Sequence, residues 1–393
     1  MAQIKVYAES QTNGKNRATI LLGAISGGYS SATGTTVANV TNPNNAVDGN
    51  ESTHATMIAK NVSLLIADFS GEAWLQMNYA NPLNAHTTTY IKIDAPTATG
   101  FNLDLLETVG GLLGLLDENI IIPEVYNGTT EVSSANVHST MARDADGNLY
   151  LAVTSSEAYT GVRLKLRSQS NLLGLSLGGG LELNVYDAFH FSDAPTCGTP
   201  LYTYYEDSGL SIELLDFNNQ NLENAIDNDT DSYALVKSGA LLGVNVTGSM
   251  SQHFNFGSES TATSTLNIKL ALGSGGVINT DLLGSIQVLL YDANDEVVYN
   301  QALQSSLLNN TDVLTLLGTG APATLTFAPG RAFSRAEVKL NSVVGVNLLG
   351  NGVRIFDVQR YDETAGCTNP EIAAIPSATN NPFENPTCAS GLI

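Results

Sequence analysis

The chain has 393 residues, with 38 acidic against 16 basic side chains, a formal net charge of −22 and only 14% charged residues. This length predicts two or three domains, and an apolar fraction of 43% is too high for a disordered chain. The acidic excess excludes most nucleic-acid binding, because few cations are available to neutralise phosphates, and it argues against anionic membrane surfaces. Asn, Thr, Ser and 36 Gly take the place of charged residues, which is typical of strands and turns.

The N-terminal sequence MAQIKVYAES alternates apolar and polar residues like a strand and lacks the apolar core of a signal peptide. No stretch reaches the roughly 18 consecutive apolar residues that a membrane-spanning helix needs. We therefore expect no membrane insertion. We interpret the chain as part of a larger secreted protein.

Period-two alternation predicts short strands throughout the chain. In chain order, the clearest segments are Trp74 to Tyr79, Thr89 to Ile93, Val162 to Leu166, Leu181 to Tyr186, Gln252 to Phe256, Thr265 to Leu272, Ile286 to Tyr291 and Glu337 to Leu340. DADGN from Asp144 and DANDE from Asp292 predict hairpin turns. Only two segments, starting at Leu103 and Thr280, favour a helix. The pattern predicts an all-β fold of the β-sandwich class, of jelly-roll type.

The chain also repeats itself once. NAVDGNESTHAT from Asn45 is matched by NAIDNDTDSYAL from Asn224. Four later segments match in the same order: Tyr90 to Ile93 with Asn267 to Leu270, Glu124 to Val132 with Leu289 to Val297, Gly161 to Leu166 with Ala336 to Leu340, and Asn184 to Phe191 with Arg354 to Tyr361. The sequence therefore predicts two tandem β-sandwich modules, residues 1–191 and 201–361. Residues 192–200 are a predicted linker, and residues 362–393 are a Pro/Asn-rich linker or tail.

Three cysteines cannot all pair within one chain. Cys367 and Cys388 share the predicted tail and are able to form a bridge, which leaves Cys197 free or paired elsewhere. Cys197 and Cys367 each follow the last predicted strand of a module. We favour isolated linker cysteines over a disulfide.

The segment A-x-D-G-N-x-S-T from Ala46 to Thr53 resembles a signature near the start of discoidin-like domains (F5/8 type C, carbohydrate-binding modules). This resemblance implies a structural calcium ion held at a turn by carboxylate, carbonyl and hydroxyl oxygens, which are the ligands Ca²⁺ prefers. The implied ligands are Asp48, Asn50 and Thr53 in the first module, and Asp227, Asp229, Asp231 and Ser232 in the second. The alternative is a turn that joins two strands and holds no metal.

The arrangement of the modules resembles a second group of proteins. An NAVDGN-like start, a YNGTT-like middle strand and a closing VYDA-like strand resemble repeat modules of large Bacteroidetes surface proteins, the gliding-motility and adhesion filaments exported by the type IX system. This resemblance implies an extracellular segment of a bacterial cell-surface adhesin or filament that mediates attachment. Its expected partners are surface glycans or a substratum, together with neighbouring modules of the same chain. The alternative is a pair of calcium-supported carbohydrate-binding modules of a secreted protein.

The sequence contains no recognisable catalytic motif. Its five histidines are dispersed, and neither a nucleophile elbow, a zinc-protease motif nor a phosphate-binding loop is present. We therefore predict that the chain is not an enzyme. Among the aromatic residues, we expect Trp74, Tyr79, Tyr90, Tyr126 and Tyr186 to lie mostly in the core. The candidates for stacking on sugars are Tyr159, Tyr202, Tyr204 and Tyr205.

Overall fold

The fold is taken from a computed structural model of the whole chain. The structure describes residues 4–21, 24–31, 37–64, 67–94, 97–98, 116, 119–168, 171–172, 175–176, 180–193, 197–208, 221–236, 248–272, 280–304, 317, 319–341, 352–363 and 366–370. Every pair of strands in these ranges is antiparallel, and all but two of the strands belong to two sandwiches.

The chain before residue 194 contains seventeen described strands, of which fifteen form the first sandwich and two, Asn171–Leu172 and Leu175–Ser176, pair only with each other. They are β1 (Ile4–Tyr7), β2 (Ser10–Leu21), β3 (Ala24–Ser31), β4 (Ala38–Thr41), β5 (Ala55–Ala59), β6 (Asn61–Leu64), β7 (Ala67–Leu83), β8 (Thr88–Ile93), β9 (Thr97–Ala98), β10 (Ile121–Asn127), β11 (Thr130–Glu131), β12 (Val137–Arg143), β13 (Leu149–Ser155), β14 (Tyr159–Arg167), β15 (Asn171–Leu172), β16 (Leu175–Ser176) and β17 (Leu181–Asp193). Two 3-10 turns, Pro43–Ala46 and Ser134–Asn136, connect strands.

The second sandwich contains nine strands in the described part of the chain. They are β18 (Tyr202–Ser208), β19 (Ala234–Val236), β20 (Ser249–Asn255), β21 (Thr265–Leu272), β22 (Ile286–Tyr291), β23 (Val297–Ala302), β24 (Ala323–Phe327), β25 (Arg335–Asn341) and β26 (Val353–Tyr361). A 3-10 turn, Leu222–Ala225, and a short α-helix, Thr280–Ser285, complete it.

The two sandwiches share one strand order. In the first, one sheet runs β11-β10-β14-β7-β2-β3 and the facing sheet contains β13-β8-β17-β5-β4. In the second, the corresponding orders are β23-β22-β25-β20-β18 and β24-β21-β26-β19. All five pairs of matching sequence segments contribute to equivalent strands or turns of these sheets.

Alternation along each strand separates a core face from an outward face. On β14, Val162, Leu164 and Leu166 are buried in the core, whereas Arg163 and Lys165 point outward. This pattern arises because successive side chains of a strand point to opposite faces of a sheet. Each sandwich consequently encloses its own large cluster of buried apolar residues.

The structure confirms the all-β sandwich fold. Strands occupy the positions of all eight predicted segments, and hairpins turn at Asp144 and Asp292 as predicted. The helix predicted from Thr280 is present, while the one predicted from Leu103 falls almost entirely outside the described residues. No helix in the described ranges is long and apolar enough to cross a membrane. The exact limits of the two modules stay a prediction, and buried Asn369 packs on the second sandwich beyond Tyr361.

Candidate functional site

The predicted metal ligands lie on equivalent turns of the two sandwiches. Each turn follows a 3-10 turn, which is preceded by an asparagine in the left-handed region, Asn42 at φ 49° and Asn221 at φ 37°. Gly49 and Asn228, at matching positions, are also left-handed, with φ of 71° and 63°. Asparagine adopts this conformation more readily than most residues, so the exchange of Gly for Asn preserves the turn.

In the first sandwich, the turn is closed by its own polar groups. Asp48 accepts hydrogen bonds from the backbone N–H of Asn50 at 2.9 Å and from Oγ1 of Thr53 at 2.8 Å. The side-chain oxygen of Asn50 accepts the N–H of Ser52 at 3.2 Å. The structure thus brings the three predicted residues of this module together.

The second sandwich repeats this arrangement with more carboxylates. Asp227 accepts hydrogen bonds from the N–H of Asp229 at 2.8 Å and from Oγ of Ser232 at 2.7 Å. Asp229 in turn accepts the N–H of Asp231 at 3.0 Å. All four predicted residues of the second module lie on this turn.

An aspartate that sequence reasoning missed lies behind each turn. Asp187 on β17 has no exposed surface; its Oδ1 accepts the N–H of Gly49 at 3.3 Å, and its Oδ2 has no hydrogen-bond partner in the described part of the chain. Burial raises the pKa of Asp187 to about 7, and the nearby charges of Asp48 and Glu51 act in the same direction. The equivalent Asp357 on β26 is half-buried and likewise has an unpartnered oxygen, and burial raises its pKa. The matching VYDA and IFDV sequences are the signal from which Asp187 and Asp357 could have been found.

These residues suit a hard cation in donor type. Ca²⁺ takes carboxylate, hydroxyl and carbonyl oxygens, and the buried Oδ2 of Asp187 is an oxygen without a donor of its own. Within the described ranges, no three His, Cys, Asp or Glu side chains are grouped as a metal site.

A separate polar cleft of about 720 Å³ lies between the two sandwiches. Its walls are the outward faces of strands from both halves of the chain. The side chains that line it include Thr140 on β12, Thr154 on β13, Glu206 on β18, Ser251 and His253 on β20, Tyr291 on β22, and Arg335, Glu337 and Lys339 on β25. Each of these belongs to the outward-facing set of its strand, so the cleft is a direct product of strand alternation.

Glu206 joins the two sandwiches at the cleft. One carboxylate oxygen lies 3.3 Å from Nε2 of His138, in the first sandwich, and the other lies 3.2 Å from Nε2 of His253, in the second. Burial favours the neutral form of Glu206, but the hydrogen bonds from both histidines outweigh it and hold its pKa well below the usual range. The hydrogen bond to Glu206 also raises the pKa of His138.

The second wall of the cleft is organised around Arg335. Its guanidinium lies 3.8 Å from the ring centroid of Tyr291, pairs with Asp295, and places Nη1 2.5 Å from Nδ1 of His253. Buried Glu337 accepts hydrogen bonds from Oγ of Ser251 and from the hydroxyl of Tyr291. These charged groups are therefore already held by neighbours.

Strand pairing and aromatic packing fix the position of the cleft. β12 pairs with β18 at Arg143 and Thr203, so one sheet of each sandwich continues into the other. Tyr90 stacks on Tyr202 with centroids 4.1 Å apart, within a buried aromatic cluster at the boundary. The prediction that Tyr202, Tyr204, Tyr205 and Tyr159 are exposed for sugar stacking is wrong, because all four rings are buried at the boundary or in the cores.

The cysteines also differ from the sequence prediction. Cys197 and Cys367 form a disulfide, with Cα atoms 6.4 Å apart and a sequence separation of 170. The bridge that the sequence allowed between Cys367 and Cys388, and the favoured alternative of isolated cysteines, are therefore both wrong. The physical reason is that Gly198 pairs with Arg360 on β26, which carries the linker beside the end of the second sandwich.

Comparison with known proteins adds little to these observations. No family model matches the chain, and no curated protein matches it. The structure is similar to the lectin domain of lectinolysin complexed with Lewis B antigen, with 13% identity, 43% of this chain and 96% of that chain covered, and a TM-score of 0.25. It is also similar to the CBM32-1 and CBM32-2 domains of Clostridium perfringens ZmpB, with 10% identity, 91% and 94% covered, and a TM-score of 0.23.

Proposed function

We propose that this chain is a non-catalytic carbohydrate-binding pair of β-sandwich modules in an extracellular protein, and that the cleft between them is the saccharide site. The observation that carries the proposal is the cleft itself, a concave polar surface of about 720 Å³ built from both sandwiches. This volume lies in the range of about 300–1,000 Å³ typical of small-molecule sites.

The chemistry of the cleft suits a ligand rich in hydroxyl groups. Thr88, Thr154 and Ser156 line the cleft with hydroxyls that both donate and accept, while His86 and Asn136 add ring and amide nitrogens. A saccharide hydroxyl replaces a water molecule at each of these groups, so the net gain in free energy per hydrogen bond is small. The specificity of binding therefore comes from the positions of the protein's donors and acceptors. A saccharide presents the matching array of donors and acceptors.

The state of the carboxylates favours binding without catalysis. Glycoside hydrolysis generally needs one carboxyl group that is still protonated near neutral pH and a second one across the bond. The two histidines hold the pKa of Glu206 low, so it is ionised and unsuited to donate a proton. Each carboxylate oxygen of Glu337 already accepts one hydrogen bond, from Ser251 and from Tyr291.

An extracellular location is supported by the disulfide between Cys197 and Cys367. Disulfides persist in oxidising compartments and are rare in the cytosol. The low content of charged residues and the resemblance of the Asp48 turn to discoidin-like modules agree with such a location.

A glycan array tests the proposal with two variants of the same chain. Thr154→Trp places a bulky ring in the cleft, whereas Thr41→Trp makes the same exchange on exposed β4, far from it. We expect the wild type and Thr41→Trp to bind the same glycans and Thr154→Trp to bind none. Absence of any bound glycan, or unchanged binding by Thr154→Trp, would refute the proposed site.

We further propose that the two acidic turns hold structural calcium. Support comes from the oxygen donors of Asp48 and Asp227 and from the unpartnered buried oxygen of Asp187. Millimolar Ca²⁺ should raise the Tm of the wild type, because a cation that binds only the folded state stabilises it. If an Asp48→Ala/Asp227→Ala variant gains as much Tm as the wild type, these sites do not exist.

A second candidate function is attachment as an adhesin or filament segment at a bacterial cell surface. The continuous sheet across β12 and β18 favours it, because both sandwiches are held in one orientation and present their surfaces together. Beads coated with the protein should adhere to a glycan-coated surface under flow. Failure of the beads to adhere to any glycan that the array identifies would argue against attachment.

A further inference from the structure

The two sandwiches present equivalent outward faces on matching sheets. Face one is formed by β10, β14, β7 and β2 of the first sandwich. Face two is formed by β22, β25, β20 and β18 of the second, and it is the face that lines the cleft. The same strand order allows each outward residue of one face to be compared with its counterpart on the other.

Face one neutralises its own charges. Lys165 pairs with Glu124, and Arg163 lies 3.9 Å from the same carboxylate. Arg167, on the same strand β14, pairs at 2.6 Å with Glu72 on the neighbouring strand β7. Each of these three cations therefore has an acidic partner on the same face.

Face two keeps the lysine but lacks its partner. Lys339 on β25 occupies the position of Lys165, whereas Leu289 on β22 occupies the position of Glu124. The register places Lys339 opposite Ser251 on one side and Gln287 on the other, both of which are neutral. In the described part of the chain, Lys339 forms no ion pair.

The carboxylates that line the cleft already form hydrogen bonds or ion pairs with other groups. Glu206 is held between two histidines, and Glu337 accepts from Ser251 and Tyr291. Asp295 pairs with Arg335. Asp292, which also lines the cleft, accepts the backbone N–H groups of Asn294 and Glu296. Half-buried Lys339 is thus the cation in the lining that has no ion-pair partner among the described residues.

We propose that the saccharide bound in the cleft carries an anionic group, a carboxylate or a sulfate, and that Lys339 binds that group. This inference rests on the proposed carbohydrate-binding function. A charge-assisted hydrogen bond from an ammonium is about twice as strong as a neutral one, so Lys339 is expected to select the charged sugar. The net charge of −22 repels long polyanions, but screening within about 8 Å at physiological salt leaves the local contact intact for a short oligosaccharide.

Titration calorimetry with three short oligosaccharides tests the inference. The probes are an oligo-uronate, a sulfated oligosaccharide and the neutral oligosaccharide of the same linkage. The proteins are the wild type, Lys339→Met and the matched control Lys165→Met, which removes the equivalent lysine from face one. The uronate and sulfate arms identify which anionic group the site accepts.

We expect the wild type to bind one charged probe at least tenfold more tightly than the neutral one. Lys339→Met should abolish that preference, and Lys165→Met should retain it. Equal binding of charged and neutral probes, or an unchanged preference in Lys339→Met, would overturn this inference while leaving the carbohydrate function standing. Absence of binding by every saccharide, on calorimetry and on the array, would overturn both.

Discussion

Face one and face two are built on equivalent strands in the same order, yet they differ in how their charged side chains are paired. On face one, Glu124 lies beside Lys165 and Arg163 and neutralises them. On face two, the equivalent position is Leu289, and Lys339 is left facing a cleft. The inward side chains of each strand form the core of the sandwich, whereas the outward side chains decide whether the charges of a face pair with one another. A repeated fold therefore does not imply a repeated function.

The largest expected difference between the sandwiches concerns the disulfide, which encloses only the second one. Cys197→Ser/Cys367→Ser should lower the free energy of unfolding of the second sandwich by about 2–5 kcal/mol, because the unfolded chain loses a long covalent loop. The first sandwich should be unaffected. Trp74, the single tryptophan, lies in the first sandwich, so its fluorescence reports that unit alone, whereas circular dichroism reports both.

In the serine variant, the fluorescence transition should stay in place while the dichroism transition separates into two steps. A joint shift of both signals would show that the sandwiches unfold as one cooperative unit, contrary to this expectation.

The buried aspartates provide the next largest contrast. The pKa of Asp187 is raised from 3.8 to about 7, so the folded state binds the proton more tightly than the unfolded state. Its contribution to stability is therefore lost as the pH rises from about 4 to about 7. Asp187→Asn should remove this pH-dependent loss of stability, because Asn does not ionise. We expect the loss to be roughly 2 kcal/mol, the cost of a buried unsatisfied acceptor. Asp357→Asn, at the half-buried counterpart, should change the pH dependence less.

Thermal unfolding between pH 4 and pH 7, in the presence of a chelator, measures the effect of both aspartates. A wild-type Tm that does not fall across this range, or an identical profile for Asp187→Asn, would contradict the assignment. Added calcium should raise the Tm of the wild type most near pH 7.

Exchanging the residues that distinguish the two faces should transfer their properties. Leu289→Glu supplies Lys339 with the partner that Lys165 has, so affinity for the anionic oligosaccharide should fall about tenfold, equivalent to about 1.4 kcal/mol. Affinity for the neutral oligosaccharide should stay unchanged, which distinguishes this result from misfolding. Equal loss of both affinities would mean that Leu289→Glu damages the cleft and does not neutralise its lysine.

The smallest expected effect concerns His138, whose pKa is raised by Glu206. The stabilisation from this pair is fully present below the ordinary histidine pKa of about 6.5 and is lost as the pH rises through the higher folded value. On the acid side, the lowered pKa of Glu206 keeps it ionised. The other charged groups around this pair are His253, Arg335 and Asp295. The variant His138→Gln removes the titrating ring and leaves these three residues in place.

A proton titration of His138 by NMR measures this pKa directly. Glu206→Gln should bring it back toward the ordinary value. A His138 pKa that does not change in Glu206→Gln would show that the contact across the cleft is absent in solution.

Much of the fold could be predicted from the sequence because it depends on local alternation. Thr265–Leu272 and Ile286–Tyr291 are strands with the same limits in prediction and structure, since each has one face in an apolar core. The turn at Asp48 was also recognisable, because its residues are adjacent in sequence and satisfy one another.

The cleft and the disulfide could not be predicted in the same way because they depend on distant parts of the chain. His138 and His253 meet at Glu206 only because β12 pairs with β18. Tyr202 was a candidate for sugar stacking, yet the first sandwich covers it. The alternating polar positions of β20 and β25 were a visible signal, but alternation alone does not distinguish a bulk-solvent face from a cleft wall.

The disulfide also has a mechanical consequence. The chain enters the second sandwich at Cys197 and has left its last strand by Cys367, and the bond joins these two points directly. A tensile load that enters before Cys197 and leaves after Cys367 is carried by a covalent bond and bypasses the sheets between them. The second sandwich then stays folded under tension that would extend an uncrosslinked sandwich. A saccharide held against Lys339 would keep its binding wall while the chain is stretched.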